Sequence, residues 1–530
     1  MRFKDALNVL SKSSSYAVST ENKYTDPQNQ LDQIKKDLYV TMPIEHKVNE
    51  VIQRLNSASR QVFFLCGSSG DGKSELLVQA KSQALRNVRF HFDATHSFDP
   101  YKNAVQTLDK LFDEFEQGEF SLVIGINVGM LGNYEQEGHN ALFKSAITAY
   151  QKNKTQITGF TFVNFEDYPK FQITQNGIQA DFARKILARI TSPDSMLFDV
   201  YQQDSSNQLD AESQRLVINY RLLCLPDVQD VIVELLFKAR LVRDQFLTAR
   251  ALLDFVYQLL TGAGYLCDNL FSGGDNELAD KLVEFDPALL RTKAIDRFLM
   301  AADLKLENEQ FDAFCTEVAE KYGLPNLPNP KSYIRLFYIL KNSELVANFP
   351  QQFQQDFTQR LLSDYLDVYR LHAFYEDTPV FREKLKVFYN KQLISALRLY
   401  INRNAPQLSN KQFLVAQLDT YKIAAQLDLK PDIVAIKANS VVKQHAFVAQ
   451  LKVGDEVLAI EININLFELL ERINAGYRPS KNDRSAVILL NEVASKIALI
   501  ARESSELLIS SEVAQYKFSL DDDYIEAEEL

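Results

Sequence analysis

The residues with the clearest chemical pattern lie between positions 67 and 74. They match the phosphate-loop pattern GxxxxGK[ST] at every fixed position, and the segment reads Gly67, Ser68, Ser69, Gly70, Asp71, Gly72, Lys73 and Ser74. Glycines let such a loop curl so that successive backbone N–H groups point at phosphate oxygens. The lysine would contact the β- and γ-phosphates of a nucleoside triphosphate, and the serine hydroxyl would hold Mg²⁺. The motif therefore predicts that this segment binds ATP together with Mg²⁺.

The segments on either side of this loop predict the structure that it requires. Residues 61–66 form an apolar run typical of a buried strand, and helical spacing of apolar residues begins near Gly72. A helix that begins at the loop would direct its positive N-terminal end at the phosphates. A chance run of glycines would need no such strand and helix, so the context favours a phosphate site.

A carboxylate that helps to hold Mg²⁺ should follow another strand, because ligands of parallel α/β sheets collect at the carboxyl ends of the strands. Asp93 closes the apolar segment 88–92. It is the first candidate, both as a metal ligand beside Ser74 and as a catalytic residue. Ala94 follows it, where the usual motif has a second carboxylate, and this difference leaves the mode of hydrolysis open.

Other strand ends offer further polar residues. Asn127 closes the apolar segment 120–126. Because its neutral amide is a weaker Mg²⁺ ligand than a carboxylate, we predict that Asn127 orients water near the γ-phosphate and contributes to catalysis. Glu166 and Asp167 follow a later strand-like segment and remain alternatives to Asp93 as the metal carboxylate. Each of these acids could instead be an ordinary cap at the end of a strand.

Two arginines on a helical segment beyond the predicted sheet could contact the γ-phosphate from the same chain or from a neighbouring subunit. They are Arg243 and Arg250. A solvated helix face is the alternative interpretation of each.

The alternation of strand and helix signals predicts an α/β P-loop NTPase core with a parallel sheet over residues 1–168. A predominantly α-helical lid is expected over 169–270 and a second helical domain over 271–425. Residues 426–530 predict a small mixed α+β domain that contains a hairpin near 446–462, helices from about 466 and over 486–501, and an acidic, solvated tail from 521.

The composition predicts a soluble, cytoplasmic protein without membrane segments. The sequence has no long apolar run, its four cysteines are far apart, and its six histidines show no zinc-binding spacing. The net charge of −12 opposes autonomous binding to nucleic acid, which requires clustered Lys and Arg. No nuclease motif is present, so the chain is not expected to cut DNA itself.

One stretch is locally basic. Residues 370–411 contain eight basic and three acidic residues, interleaved with Tyr369, Phe374, Tyr375, Phe388, Tyr389 and Tyr400. Cations contact phosphates and aromatic rings stack on bases, so this stretch could form a modest DNA surface. The alternative is a set of helices with an aromatic core face and a solvated basic face.

Several segments together resemble one family, namely MRFKDAL (1–7), the phosphate loop, FDATHSF (92–98), IGINVGML (124–131), VNFEDY (163–168) and GYRPSKNDR (476–484). With these segments taken together, the chain resembles the DptF family, the ATPase-like subunits of bacterial DNA phosphorothioation-dependent restriction systems. The resemblance implies a role in anti-phage defence against unmodified DNA. Its partners would be the other subunits of the restriction complex, including a helicase-like one. DNA would be bound weakly or through the complex, and a homo-oligomer is compatible with the sequence.

Two other functions stay open. A nucleotide switch that binds ATP without turnover is favoured by Ala94, which stands where a second carboxylate is usual. A small-molecule kinase is disfavoured because such kinases are compact, whereas this chain has a long C-terminal half without catalytic motifs.

Overall fold

The computed structural model describes the chain apart from residues 14–29, 58–59, 69, 86, 95–102, 153, 155, 208, 359, 410, 439–444, 455, 481–482, 503, 505, 512–513 and 522–523. The chain divides into two compact units. Unit 1 contains residues 1–172 and 180–358, and unit 2 contains residues 173–179 and 359–530. The four segments expected from the sequence have other boundaries, and they stay a prediction.

A four-stranded parallel sheet forms the centre of unit 1. Its strands are β1 (Val62–Cys66), β2 (Val88–His91), β3 (Ser121–Ile126) and β4 (Phe160–Asn164), in the order β2-β3-β1-β4. Alternate residues of β1 pack into two different hydrophobic clusters, one on each face of the sheet. Phe64 packs with Phe112 and Phe143 on one face, whereas Phe63 packs with Ile44 and Leu77 on the other. The sheet is therefore buried on both faces, as expected for an α/β core.

Helices account for most of the remainder of unit 1. They are α1 (Phe3–Leu7), α2 (Gln30–Asp37), α3 (Pro43–Ser57), α4 (Lys73–Lys81), α5 (Ala104–Gln117), α6 (Val128–Glu137), α7 (Ala141–Gln151), α8 (Asp181–Thr191), α9 (Met196–Ser205), α10 (Ala211–Leu223), α11 (Pro226–Arg243), α12 (Ala249–Thr261), α13 (Leu266–Asn269), α14 (Glu277–Leu282), α15 (Lys293–Asp303), α16 (Glu309–Tyr322), α17 (Pro330–Ile339) and α18 (Gln354–Phe357). Across the described parts of the chain, no helix combines the length and the apolar character needed to cross a membrane.

Unit 2 mixes helices with antiparallel strands. Its helices are α19 (Arg360–Ala373), α20 (Pro379–Val387), α21 (Ser395–Ile401), α22 (Ile433–Ala438), α23 (Ile464–Asn474) and α24 (Arg484–Ala501). The short pair β5 (Gln172–Thr174) and β6 (Gly177–Gln179) precedes them in the chain. The later strands are β7 (Gln412–Leu418), β8 (Tyr421–Gln426), β9 (Leu429–Pro431), β10 (Ala446–Val453), β11 (Glu456–Asn463), β12 (Glu506–Ser510), β13 (Gln515–Asp521) and β14 (Tyr524–Glu529).

These strands form two larger sheets, with the orders β11-β10-β9 and β14-β13-β12-β8-β7. The expected hairpin is present, because β10 and β11 pair antiparallel from Ala446 opposite Asn463 to Val453 opposite Glu456. The expectation of helix up to about 425 is wrong, since β7 and β8 pair there. The acidic tail is exposed, but it is not irregular: β14 pairs with β13.

The aromatic residues of the basic stretch 370–411 mostly serve the core of unit 2. Phe388 and Tyr389 are buried, as is Tyr400. Arg370 and Arg382 form ion pairs with Asp367 and Asp377. The interpretation of this stretch as helices with an aromatic core face is therefore correct for these rings.

Candidate functional site

The motif loop lies between β1 and α4, at the carboxyl end of the sheet. β1 ends at Cys66 and α4 begins at Lys73. Gly70 has a φ angle of 82° and Gly72 one of 96°, in the left-handed region that side chains with a Cβ rarely adopt. The turn into the helix thus requires glycine at these two motif positions. Ser69 lies outside the described residues.

Lys73 folds back over the loop that precedes it. Its Nζ atom donates hydrogen bonds to the carbonyl oxygens of Gly67 at 3.0 Å and Ser68 at 2.6 Å. Burial lowers the pKa of Lys73, and the negative charges of Asp71 and Asp93 act in the opposite direction. The ammonium therefore lies inside the loop, at the position from which it could turn to an anion.

Asp71 connects the loop to a residue far along the chain. Its carboxylate accepts hydrogen bonds from the Ser68 N–H at 2.7 Å and from Lys170 Nζ at 2.6 Å. A side chain at position 67 would be crowded, since a Cβ on Gly67 would lie 2.9 Å from Cδ2 of Phe165 and 3.1 Å from Asp71 Oδ2. The loop is thus packed against the segment that follows β4.

The backbone just before Asp93 lies near the start of α4. Ser74 Oγ is 3.5 Å from the carbonyl oxygen of Phe92, the residue before Asp93. The end of β2 also approaches β3 closely, because a Cβ on Gly125 would lie only 2.4 Å from the Phe92 oxygen. Ala94 N–H donates to the Gly125 oxygen at 2.9 Å. Glycine in β3 therefore allows the backbone of β2 to bring Asp93 towards Ser74 and Lys73.

Asn127 follows β3, next to the start of the loop. The Gly67 N–H donates to the carbonyl oxygen of Ile126 at 3.2 Å. The Asn127 Oδ1 atom accepts a hydrogen bond from the Met130 N–H at 2.6 Å and so caps α6. This cap orients the side chain, whose amide nitrogen can donate to a ligand.

Glu166 and Asp167 lie on a short 3₁₀ turn after β4, close to the end of β1. Burial raises the pKa of the Cys66 thiol to about 12, and the charges of Asp167 and Glu166 act in the same direction. Asp71 and Asp93 are instead the carboxylates with the strongest effects on Lys73. The structure thus brings all the candidate acids to one edge of the sheet. The charge of Asp93 acts on the pKa of Lys73, whereas the charges of Glu166 and Asp167 act on the pKa of Cys66.

The two candidate arginines differ in position. Arg243 forms an ion pair with Glu284. Arg250 is exposed and lies beside the loop, because a Cβ on Gly70 would be 3.7 Å from the Arg250 Cβ and 3.2 Å from Thr248 Oγ1. Thr248 caps the N-terminus of α12. Of the two arginines, Arg250 is therefore the one placed to contact a ligand of the loop.

Three neighbours of the site were not singled out from the sequence: Lys170, Thr248 and Arg240. Burial lowers the pKa of Arg240, while the charges of Asp244 and Glu166 act in the opposite direction. Its guanidinium also lies 4.2 Å from the Phe246 ring centroid. No local sequence signal marks these residues, because the contacts of Lys170 and Thr248 with the loop, and the electrostatic effect of Glu166 on Arg240, depend on tertiary packing.

Within the described ranges, no group of three His, Cys, Asp or Glu residues could enclose a metal ion. Mg²⁺ in nucleotide sites needs only one or two protein oxygens. The candidates for such a role at this edge of the sheet stay the Ser74 hydroxyl and a carboxylate of Asp93, Glu166 or Asp167.

No protein-family model matches the chain, and the search of curated proteins found no significant match.

Proposed function

We propose that unit 1 is a P-loop nucleotide-binding unit that holds ATP and Mg²⁺ at Gly67–Ser74. The observation that carries this proposal is the strand–loop–helix geometry of the motif. Two glycines with positive φ precede α4, and Lys73 Nζ is folded onto the loop carbonyls of Gly67 and Ser68. Backbone N–H groups and the helix N-terminus can then receive phosphate oxygens.

Each side chain has a defined role in this proposal. Lys73 exchanges its loop carbonyls for oxygens of the β- and γ-phosphates, which are better acceptors because they are charged. Ser74 and Asp93 hold Mg²⁺, directly or through water, and the bound ion supplies charge neutralisation to the phosphates. Asn127 presents its amide nitrogen to the γ-phosphate or to the attacking water, and Arg250 supplies a further positive charge from α12.

We further propose that the chain hydrolyses ATP as a subunit of a restriction complex that acts on unmodified DNA. The resemblance of segments along most of the chain to the DptF family supports this proposal. The partners are then the other subunits, including a helicase-like one, and the compartment is the cytoplasm. The net charge of −12 fits a subunit that binds DNA weakly alone and more strongly within its complex.

A nucleotide switch without turnover is the second candidate. Ala94 follows Asp93, so no carboxylate adjoins the metal acid in sequence to activate water. The Asn127 oxygen is also occupied by the α6 cap. These two observations favour slow hydrolysis, and measurement of phosphate release distinguishes a switch from an ATPase.

Isothermal titration with ATP and Mg²⁺ tests the nucleotide site. We expect Lys73→Ala to abolish measurable binding while the circular dichroism spectrum stays unchanged. Lys110→Ala is the matched control, because Lys110 is an exposed lysine on α5 with 66% of its side chain accessible. Equal affinity of the Lys73 and Lys110 variants would show that the site assignment is wrong.

The proposed role in restriction requires its own experiment. ADP formation by the purified chain should be measured alone, with DNA, with the partner subunits of the restriction complex, and with small metabolites, because ADP is a product of both hydrolysis and phosphoryl transfer. We expect turnover to rise when DNA and partners are both present. Turnover that responds to a small metabolite, and not to DNA, would contradict the restriction role and favour a kinase.

A further inference from the structure

A cavity of about 780 Å³ opens within unit 2, lined only by residues of that unit. Its walls come from residues 398–408, at the end of α21 and just beyond it, and from residues 473–480, at the end of α23 and just beyond it. Val487 and Asn491 of α24 complete the lining. The volume falls in the range of about 300–1,000 Å³ that is typical of sites for small organic ligands.

The lining is positively charged. Arg398, Arg403 and Arg478 contribute to it, and none of the lining residues is Asp or Glu. Guanidinium groups bind phosphate oxygens in bidentate fashion and also stack on planar rings. A cavity with three such groups and no lining carboxylate favours an anionic ligand.

The loop that carries Arg478 is held in place by its own side chains. The Asp483 carboxylate accepts hydrogen bonds from the Ser480 N–H and the Tyr477 hydroxyl, both at 2.8 Å. The Arg472 guanidinium lies 3.7 Å from the Tyr477 ring centroid. The hydrogen bond from the Ser480 N–H is the main reason that the pKa of Asp483 is lowered. This carboxylate is therefore engaged with its own loop.

Arg478 itself is exposed and makes no hydrogen bond or ion pair with the part of unit 2 that the structure describes. On the other wall, the Arg403 guanidinium lies 4.4 Å from the Tyr400 ring centroid and donates to the Tyr400 carbonyl oxygen at 3.1 Å. Tyr400 is fixed in turn, because its hydroxyl donates to Asn491 at 2.7 Å. Neither Arg403 nor Arg478 has a carboxylate partner among the described residues.

An unusual backbone segment adjoins the cavity. Residues Phe388–Ile394 form a π-helix that continues into α21. Asn474, which lines the cavity, donates to the carbonyl oxygen of Gln392 at 2.9 Å. The side-chain oxygens of Asn474 and Gln392 are buried and accept no hydrogen bond from any described residue. Short π-helical segments and unsatisfied buried polar atoms accumulate at functional sites.

We infer that this cavity binds a phosphate-bearing nucleotide, either free or as a unit of a single-stranded nucleic acid. The arginines contact the phosphate, and the volume leaves room for a sugar and a base. Leu399 lines the cavity with 42% of its surface accessible and offers an apolar contact for a planar base. The inference goes beyond the proposed ATP site, because it concerns a second site in a different unit with its own residues.

Fluorescence anisotropy of the full chain with a labelled, 5′-phosphorylated oligothymidylate tests this site. We expect Arg478→Ala and Arg403→Ala each to weaken binding by about tenfold, the loss typical of one charged hydrogen-bonding group. Each substitution should also reduce the slope of the logarithm of the binding constant against the logarithm of salt concentration by about one, because one fewer counterion is released. Arg360→Ala is the matched control, since Arg360 is a highly exposed arginine on α19 of the same unit. It should bind as the unmodified chain does.

Two further comparisons identify the ligand and separate this site from the ATP site. Competition by thymidine monophosphate would show that a free nucleotide suffices, whereas competition by oligonucleotide alone would identify a strand; both results uphold the inference. It is overturned if the unmodified chain does not bind, if the Arg478 and Arg403 variants match the control, or if inorganic phosphate competes as well as the nucleotide. It is also overturned if Lys73→Ala alone removes binding, because the ligand would then occupy the loop of unit 1.

Discussion

Asp71 and Lys170 form an ion pair across the base of the motif loop, with 2.6 Å between the Asp71 Oδ1 and Lys170 Nζ atoms. Only 11% of each side chain is accessible to solvent. A carboxylate in this loop repels phosphate, and water screens a buried charge only weakly. Lys170 therefore neutralises the charge of Asp71, so that the loop can accept an anion while the Asp71 carboxylate accepts a hydrogen bond from the Ser68 N–H.

We predict that Lys170→Ala weakens ATP binding by about tenfold, because the charge of Asp71 then acts on the phosphates without its partner. Combining it with Asp71→Asn should restore much of the affinity, since the asparagine oxygen can still accept from Ser68 and carries no charge. Titration calorimetry of the two single variants and the double variant measures this coupling. Lys185→Ala, an exposed lysine on α8, is the control. Additive losses in the double variant would contradict the role of Lys170.

The sheet of unit 1 and the gathering of candidate residues at its edge could be predicted because their signals are local. The apolar runs ending at Cys66, Ile126 and Asn164 lie within the segments expected as strands, and each contains a strand of the sheet. Residues at the carboxyl ends of parallel strands then come together by topology. The positions of Asp93 and Asn127 at this edge required no knowledge of side-chain packing.

Contacts between distant segments could not be predicted in this way. Lys170, in the connection after β4, and Thr248, at the start of α12, reach the loop only through tertiary packing, which no periodicity encodes. The sequence predicts a helical domain up to residue 425, and the strands β7 and β8 contain Ala, Gln and Leu, residues of high helix propensity. Their antiparallel pairing overrides that preference, since cross-strand packing decides strand formation more than intrinsic propensity does.

Arg250 and Arg243 provide a matched pair for the role of positive charge beside the γ-phosphate. We predict that Arg250→Ala slows turnover by at least about tenfold, because an arginine at the γ-phosphate stabilises the charge of the transition state. Arg243→Ala should leave turnover unchanged, because Arg243 pairs with Glu284. Single-turnover phosphate release checks both variants. A larger loss for Arg243→Ala than for Arg250→Ala would reverse this assignment.

The stability of unit 2 should depend on pH through His372. This residue is buried and stacked on Phe447, with ring centroids 4.3 Å apart. Its Nδ1 atom lies 2.8 Å from the Val368 carbonyl oxygen, which can only accept, so Nδ1 carries the proton. Nε2 then accepts from the Tyr389 hydroxyl at 3.1 Å. The ring is therefore hydrogen-bonded in its neutral form.

Burial lowers the pKa of His372 from 6.5 to about 4. Because the pKa is lower in the folded state, the unfolded state binds a proton first as the pH falls. The contribution of neutral His372 to the stability of unit 2 is therefore fully present above the unfolded pKa of 6.5 and is lost as the pH falls towards 4. We predict a loss of about 2 kcal/mol in the free energy of unfolding of unit 2 between about pH 7.5 and about pH 5. His372→Gln should remove this part of the dependence.

Urea denaturation followed by circular dichroism measures the effect, since the chain has no tryptophan. Carboxylates that titrate in the same range contribute equally to the unmodified chain and to the variant, so the difference between the two isolates His372. His46→Gln is the control, because His46 is an exposed histidine of α3. If the pH dependence of His372→Gln equals that of the unmodified chain, the buried histidine is not its source.

The carboxylate that would hold the metal at the proposed ATP site can be identified by substitution. Asp93 follows β2, and the neighbouring Phe92 carbonyl oxygen lies 3.5 Å from Ser74 Oγ. Asp93 is also one of the two carboxylates that most strongly affect the pKa of Lys73, which burial lowers. Glu166 and Asp167 lie beside Cys66 instead, where their charges add to the effect of burial in raising its pKa. This arrangement favours Asp93 as the residue that orients Mg²⁺ or its water ligands.

We therefore predict that Asp93→Asn reduces Mg²⁺-dependent hydrolysis by about a hundredfold or more but weakens ATP binding by no more than about tenfold, because Lys73 and the loop amides still hold the phosphates. Asn127→Ala should mainly slow turnover, since its amide acts on the attacking water and not on the metal. Asp167→Asn is the control for loss of a nearby carboxylate and should retain most activity. Titrations of turnover against Mg²⁺ separate the two roles, because only Asp93→Asn should raise the Mg²⁺ concentration needed for half-maximal rate. If Asp167→Asn shows that shift and Asp93→Asn does not, the metal is held from the end of β4.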